Sequence, residues 1–214
     1  MAAPIPIVHA DDHLLIVAKP AGLLTVPAPG RQGDCLIDRL RGETGLPVQA
    51  VHRLDEDTTG ALVVAVSDVG RAGLEALFRE HRIERVYLAL VASMPSPAAG
   101  RIEARLREED GVMRVVPHGG ELAITEYRAL DRRRAGVLVE CRLHTGKRNQ
   151  IRAHLAALGC PLVGDRKYGF RARGGAAPSH YLLHSWRLAF THPVTATPIS
   201  VTVPPEDSAL RPTK

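Results

Sequence analysis

The alternation of apolar and polar positions along the chain predicts a protein built mainly from strands. Two apolar segments, 5–9 and 13–19, are separated by Asp11 and Asp12, a pattern typical of two strands joined by a turn. The uninterrupted apolar segment 61–66 indicates a buried strand. Further strands are expected at 83–92, 101–107, 112–116, 122–130, 136–144, 186–191 and 199–203. Because strands outnumber helices and occur in runs, the pattern predicts the α+β class, with a largely antiparallel sheet flanked by helices and loops.

Three helices are expected between these strands. Asp34 is placed to cap a short first helix, and Ser67 is placed to cap a second that continues to about His81. The third helix is expected over 147–158, where glycine and proline follow its end. The residues after Pro204 are expected to be frayed.

Length and composition indicate a globular chain of one large domain or two small ones rather than a disordered, fibrous or membrane-spanning chain. The sequence has 214 residues, of which 45% are hydrophobic and 24% are charged. Its apolar runs are far shorter than the ~20 residues that cross a bilayer, and residues 1–12 lack the features of a signal peptide. Cys35, Cys141 and Cys160 are odd in number and form no CxxC pair, which argues against a disulfide framework or a zinc ribbon. We therefore expect a cytoplasmic protein with reduced thiols.

The positive charge of the chain is concentrated in one segment. The net charge is +5, yet the window 142–187 contains nine basic residues and one acidic residue, Asp165. The basic residues are Arg142, Lys147, Arg148, Arg152, Arg166, Lys167, Arg171, Arg173 and Arg187. A localised basic surface is typical of a site for a polyanion such as RNA, although a solvated basic face gives the same pattern.

The first candidate for chemistry is the loop HRLDEDTTG, 52–60, which leads into the buried strand 61–66. Loops held at a sheet edge commonly carry function. Asp55, Asp57 and Thr59 also fit the DxDxT pattern of magnesium-dependent phosphatases, but there the apolar strand precedes the motif, whereas here it follows. The remaining interpretation is a polar turn that caps the next strand.

The second candidate is the predicted helix that carries Arg148 and Arg152, which are four residues apart and share a face. Arg152 lies at the margin of the apolar stripe, so its guanidinium needs a carboxylate or a phosphate as partner. The backbone N–H groups that follow Thr145 and Gly146 are expected to be free for a phosphate. The alternative is a surface arginine whose stem covers the core.

The third candidate is Tyr87 in the alternating strand 85–91. An aromatic residue here either packs in the core or presents its ring to a base and its hydroxyl to a proton. The nucleotide-binding motifs GxGxxG and GxxxxGK[ST] and the metal motif HExxH are absent from the sequence, so no cofactor and no metal are expected.

Taken together, these segments resemble the RluA-type RNA pseudouridine synthases. The matching motifs are HRLDEDTTG (52–60), RVYLALV (85–91), LHTGKRNQIRAHLAALGCPLVGDRKYG (143–169) and LLHSWRLAFTHP (182–193), preceded by DDHLLIVAKPAGLLTVP (11–27). The resemblance covers about 7–203 in family order and implies a single catalytic domain with the pseudouridine synthase core. In spacing and length the chain is especially similar to the compact member that modifies both ribosomal and transfer RNA and lacks an S4 domain.

The resemblance implies a set of catalytic residues. Asp55 matches the family's catalytic aspartate, and Tyr87 matches the tyrosine that packs on the target uracil and takes the C5 proton. Arg152 matches the arginine that pairs with the catalytic aspartate, and Arg53 matches the arginine that fills the gap left by the flipped base.

The resemblance also implies an RNA-binding set and a partner. Its members are His52, Arg53, Lys147, Arg148, Asn149, Gln150, Arg166 and Lys167. The implied substrate is a uridine in a single-stranded loop of ribosomal or transfer RNA, modified by a monomer without a cofactor or a membrane. Three departures from the family pattern bear on substrate choice: Asn149 stands in place of histidine, Thr58-Thr59-Gly60 in place of TSG, and Arg85 in place of lysine. A silent RNA-binding module and a magnesium-dependent phosphatase are the alternatives.

Overall fold

A computed structural model of the chain describes residues 3–28, 30, 34–172 and 178–212. The described residues form two compact units: unit 1 is drawn from Met1–Glu84 and Ser185–Pro204, and unit 2 from Arg85–His184 and Pro205–Lys214. The strands outnumber the helices and follow one another in runs, which confirms the predicted α+β class. Among the described residues no helix is long and apolar enough to span a membrane.

The described chain contains eleven strands and three α-helices. The strands are β1 (Ile7–Ala10), β2 (Leu14–Lys19), β3 (Gln49–Ala50), β4 (Thr59–Ala65), β5 (Glu84–Val91), β6 (Ala99–Glu109), β7 (Val112–Val116), β8 (Glu121–Arg133), β9 (Gly136–Leu143), β10 (Leu183–Thr191) and β11 (Pro198–Thr202). The helices are α1 (Leu36–Thr44), α2 (Asp68–Arg79) and α3 (Gln150–Ala157).

Unit 1 is a sheet with the order β1-β2-β4-β10, to which β3 and β11 add as short edge strands. The pairs β1/β2, β2/β4, β3/β4 and β10/β11 are antiparallel. Leu14, Val63 and Phe190 from the sheet and Leu74 from α2 share one buried apolar cluster. The cap predicted for α2 is confirmed, because the Ser67 hydroxyl accepts a hydrogen bond from the Gly70 amide.

The cap predicted for α1 is wrong. The residue before the helix is Cys35 rather than Asp34, and its side chain makes no capping bond. Asp38 lies in the first turn, where its negative charge interacts favourably with the positive end of the helix dipole. The helix ends at Gly45, whose φ of 71° is accessible to glycine at little cost.

Unit 2 is an antiparallel sheet with the order β5-β9-β8-β6-β7. Leu106 and Met113 from the sheet pack against Ala153 of α3, so this helix covers one face of β6 and β7. On the other face of β6 the side chains are charged and exposed. This division follows from the period-two alternation of the strand.

Helix α3 begins three residues later than the sequence pattern predicts. Asn149 has a left-handed backbone with φ 50°, which a helical residue does not adopt. The Gln150 Oε1 accepts hydrogen bonds from the Lys147 amide at 3.0 Å and from the Thr145 hydroxyl at 2.8 Å. The amide of Lys147 is therefore not free for a phosphate, which corrects the expectation of a free N–H group at this position before the helix.

The expectation that the residues after Pro204 are frayed is also wrong for 205–212, while 213 and 214 lie outside the described residues. A 3₁₀ turn forms at Ser208–Leu210, and the side chain of Leu210 is only 3% exposed. The Arg211 carbonyl accepts a hydrogen bond from the Arg133 guanidinium at 2.7 Å. The three cysteines are buried and free, as the sequence indicates.

Candidate functional site

The acidic loop of unit 1, residues 51–58, is held by a buried threonine. The Thr25 hydroxyl donates to the Leu54 carbonyl at 2.9 Å and accepts from the Leu54 amide at 3.2 Å. The side chain of Leu54 is buried, while the neighbouring Asp55 is half-buried. Because both backbone groups of Leu54 are bound, the position of the Asp55 backbone is defined from its N-terminal side.

A buried lysine holds the other side of the same loop. Lys19 is 1% exposed, and its ammonium donates to the carbonyls of Glu56 at 2.6 Å, Thr58 at 3.1 Å and Pro20 at 2.9 Å. Burial lowers the pKa of Lys19 to about 8, and the charges of Asp57 and Asp55 oppose this shift. Its three donors are thus matched by three acceptors, and the turn that follows Asp55 is fixed to β2.

The histidine and the arginine of this loop differ in their surroundings. His52 accepts a hydrogen bond from the Val63 amide at 3.2 Å and stacks on Phe78 with ring centroids 4.4 Å apart. Arg53 is exposed and makes no ion pair with any described residue. Arg53 therefore presents its charged side chain to solvent, whereas the ring of His52 packs against Phe78. The RNA-binding roles of both residues stay predictions.

The placement of the loop also bears on the phosphatase alternative. Strand β4 begins at Thr59, so the apolar strand follows Asp55 and Asp57, as the sequence indicates. The amide of Thr58 donates to the Asp55 carbonyl at 3.1 Å, which closes the turn expected before the strand. The DxDxT pattern thus stands on the wrong side of its strand for that class of phosphatase.

In unit 2, Arg152 has a buried carboxylate partner, one of the two kinds of anion that its place on the helix calls for. The Nε of Arg152 donates to Asp165 Oδ2 at 2.7 Å, and Nη2 donates to Oδ1 at 3.0 Å. The two residues are 7% and 1% exposed. The interpretation of Arg152 as a surface residue is therefore wrong, because the guanidinium itself is buried in a bidentate ion pair.

Two tyrosine rings complete the surroundings of this guanidinium. The Cζ atom of Arg152 lies 4.7 Å from the ring centroid of Tyr168 and 4.1 Å from that of Tyr181. The Tyr168 hydroxyl donates to Asn149 Oδ1 at 3.2 Å and accepts from the Met113 amide at 3.1 Å. We call Asp165, Tyr168 and Tyr181 the arginine cradle.

Tyr87 lies on β5, opposite Cys141 of β9, and is buried. Arg85 stands two residues earlier, on the same face of the strand, and burial lowers its pKa while Tyr87 opposes that shift. A Cβ atom on Gly146 would lie 2.6 Å from Arg85 Nη1, so the guanidinium passes close to the loop before α3. The burial of Tyr87 agrees with core packing, and its catalytic role stays a prediction.

A polar network lies beneath the start of α3. The Gln150 Nε2 donates to the Ile124 carbonyl and to the Thr125 hydroxyl, both at 2.9 Å. The same hydroxyl lies 2.9 Å from Nδ1 of His154, which is fully buried. Gln150 is thus engaged in fixing the loop–helix junction to β8, and Asn149 is engaged with Tyr168.

The basic window is less positive in the fold than along the sequence. Acidic residues from outside the window pair with three of its cations: Glu121 with Lys147 at 2.6 Å, Glu108 with Arg148 at 2.6 Å, and Glu84 with Arg187. Arg166 and Lys167 are exposed and pair with no described acidic residue. Arg173 lies outside the described residues.

Two residues of these sites were not singled out by the sequence patterns. Asp165 is the only acidic residue of the window 142–187, so a buried Arg152 had one nearby carboxylate available. Lys19 carries a weaker signal, a lysine in the otherwise apolar segment 13–19. A cation at the end of a buried strand needs acceptors, which the loop carbonyls provide.

Comparisons with known proteins give a consistent result. A family model described as RNA pseudouridylate synthase matches residues 13–157. The chain is 37% identical over 90% of its length to ribosomal large subunit pseudouridine synthase D of Zymomonas mobilis, and 35% identical over 95% to that of Xylella fastidiosa. It spans 66% and 67% of these relatives. Among solved structures, human RNA pseudouridylate synthase domain containing 4 matches with a TM-score of 0.75 and 26% identity, covering 94% of this chain and 89% of that one.

Proposed function

The chain belongs to the RNA pseudouridylate synthase family, and we propose that it isomerises uridines in loops of ribosomal or transfer RNA to pseudouridine. The observation that supports this most directly is the fixed position of the loop that carries Asp55. The loop lies inside the matched segment, and Thr25 and Lys19 hold it from both sides. A reactive carboxylate needs such a rigid support, because small displacements reduce catalysis strongly.

The reaction is an isomerisation that conserves atoms and electrons. The bond between N1 of uracil and C1′ of the ribose breaks, the base rotates, and a bond between C5 and C1′ forms. C5 loses a proton and N1 gains one, so neither redox chemistry nor hydrolysis is involved. Asp55 acts as a carboxylate that adds to the sugar or the base, or that removes a proton from the sugar. Tyr87 packs on the base and takes the C5 proton.

Arg152 supplies a fixed guanidinium to this reaction. Its orientation is set by the arginine cradle, and the group it binds during turnover is an anion, either a carboxylate or a phosphate. The same residue is unsuited to a loose, long-range contact with RNA because its guanidinium is buried.

RNA binding relies on exposed cations around these sites. Arg53, Arg166 and Lys167 are exposed without ion pairs in the described chain, so each is available to a phosphate or to an unstacked base. Lys147 and Arg148 exchange their exposed carboxylate partners for phosphates on binding, since exposed ion pairs contribute little. The target uridine leaves its stack to reach the reactive groups, and Arg53 fills the space it vacates.

The names of the relatives favour ribosomal RNA of the large subunit as the first substrate to test. Both are called ribosomal large subunit pseudouridine synthase D. Transfer RNA stays the second substrate, and we expect a cytoplasmic protein that acts as a monomer.

The decisive experiment compares two neighbouring carboxylates. RNA from cells that lack the protein is incubated in EDTA with wild type, Asp55→Asn or Asp57→Asn, and pseudouridine is mapped chemically across ribosomal and transfer RNA. We expect new sites with wild type and Asp57→Asn, and none with Asp55→Asn. Tight binding without new sites on any RNA would favour a silent RNA-binding module. Activity of Asp55→Asn equal to wild type would refute the assignment of the aspartate.

A further inference from the structure

We propose that Asp165 is a positioning residue that sets the orientation of the Arg152 guanidinium for the reaction. This inference rests on the proposed function and adds a residue to it. Asp165 binds Arg152 at two points, through both carboxylate oxygens, and neither residue is appreciably exposed to water. Two-point binding fixes the plane of a guanidinium as well as its distance, which a single hydrogen bond does not.

The carboxylate of Asp165 is itself immobilised by its loop. The Tyr168 amide donates to Asp165 Oδ1 at 3.3 Å, and the Phe170 amide donates to the Asp165 carbonyl at 3.0 Å. Gly164 precedes it with φ 89°, and a Cβ atom there would lie 2.3 Å from the His180 carbonyl oxygen. The loop is therefore packed so closely that the carboxylate cannot follow a displaced arginine.

The ion pair with Asp165 also defines the direction in which the other edge of the Arg152 guanidinium points. Asp165 takes the edge of the guanidinium formed by Nε and Nη2. The second edge of this planar group, formed by Nη1 and Nη2, points in a different direction at a fixed angle. Tyr168 and Tyr181 lie against the guanidinium and resist tilting of its plane. The cradle thus fixes where a second anion meets Arg152.

Stability alone is a poor explanation for this pair. A buried ion pair is often no more stabilising than apolar residues of similar volume, because both charges lose their hydration. Asp165 is also the only acid of a basic window, where a carboxylate weakens the attraction for phosphates. Orientation of Arg152 therefore explains why a carboxylate stands at this position, whereas stability and RNA affinity do not.

Two substitutions separate position from charge. Asp165→Asn removes the charge and one of the two acceptors, whereas Asp165→Glu keeps the charged pair but moves the carboxylate by one methylene. Turnover is measured as release of tritium from C5 of uridine in RNA, since the C5 hydrogen is lost as C5 bonds to C1′. For both variants we expect kcat to fall on the order of 100-fold with unchanged RNA affinity, because a displacement of ~1 Å has effects of that size.

Val163→Ala is the matched control for stability. Val163 is buried in the same loop, and its truncation lowers the melting temperature without touching the guanidinium. We expect its kcat to equal that of wild type. If Val163→Ala and the Asp165 variants lost activity in proportion to their melting temperatures, the pair would be structural only.

A double-mutant cycle tests whether Asp165 acts through Arg152. In an Arg152→Lys background, which lacks the planar fork, Asp165→Asn is expected to cause no further loss of kcat. Equal losses in both backgrounds would overturn the inference. An active wild type whose two Asp165 variants retain full kcat would overturn it while leaving the proposed function intact. Wild type that releases no tritium from any ribosomal or transfer RNA would refute the proposed function and the inference with it.

Discussion

The buried histidine of α3 makes the stability of the protein depend on pH in a predictable way. His154 is fully buried, and burial lowers its pKa from 6.5 to about 4. Its Nδ1 lies 2.9 Å from the Thr125 hydroxyl, and its Nε2 has no hydrogen-bond partner among the described residues. Protonation would create a charged ring with an N–H group that nothing accepts, so the folded state keeps the ring neutral.

The size of the effect follows from the two pKa values. Because the pKa of His154 is lower in the folded state, the unfolded chain binds more protons between about pH 6.5 and 4, so stability falls as the pH falls. Below the folded pKa the full shift of ~2.5 units corresponds to about 3.4 kcal/mol. At pH 5 the loss relative to pH 8 is about 2 kcal/mol, since the folded state is still almost entirely neutral there.

Urea unfolding of wild type and His154→Gln at pH 8 and at pH 5 measures this contribution. Glutamine does not titrate, and the response of every other histidine cancels in the difference between the two proteins. We expect wild type to lose about 2 kcal/mol more than the variant over this interval. His118→Gln makes the same replacement at an exposed position and is the control for the substitution itself. Identical pH dependence of wild type and His154→Gln would refute the reasoning.

Three further predictions concern the loop and the RNA-binding cations. Asp55→Asn is expected to abolish turnover while RNA affinity, measured by filter binding, stays as in wild type; a large loss of affinity would instead indicate a binding role. Lys19→Met removes the buried ammonium that donates to the carbonyls of Glu56 and Thr58 and is expected to lower the free energy of unfolding in urea by about 3 kcal/mol; an unchanged value would show that the loop needs no such support. Arg148→Ala is expected to weaken RNA binding and to reduce the slope of log K against log salt by about 0.7, whereas an unchanged slope would place this residue away from phosphate.

Short-range signals predicted the elements that depend on them. The cap of α2 at Ser67 was predictable because a hydroxyl reaches the amide three residues on, within one turn of the chain. The start of α3 was not, because Asn149 adopts its left-handed backbone where its side chain meets Tyr168, 19 residues away. The division into two units could not be predicted from the sequence either, because the boundary after Glu84 falls at the start of strand β5 rather than in a linker.

The candidate site shows the same division between local and distant causes. The sequence motifs indicated Asp55, Tyr87 and Arg152 by resemblance, and the need of a buried Arg152 for an anion followed from its place on the helix. The partner Asp165 was present in the basic window but had no helical spacing to Arg152 that would join them. The neutralisation of Arg148 by Glu108, 40 positions away, lay outside any window of sequence.

The amino-acid sequence by itself thus determined the strand pattern, the capped helix α2, the family and the types of residue available for chemistry. These depend on alternation, on neighbours within a turn and on motif order, all of which lie along the chain. The tertiary structure decided which charges meet and which are fixed. Lys19 reaches a carbonyl 37 positions away, and Arg152 finds Asp165 and two tyrosine rings around it. Burial requires partners for each charge, but only the packing of distant segments selects which partner is within reach.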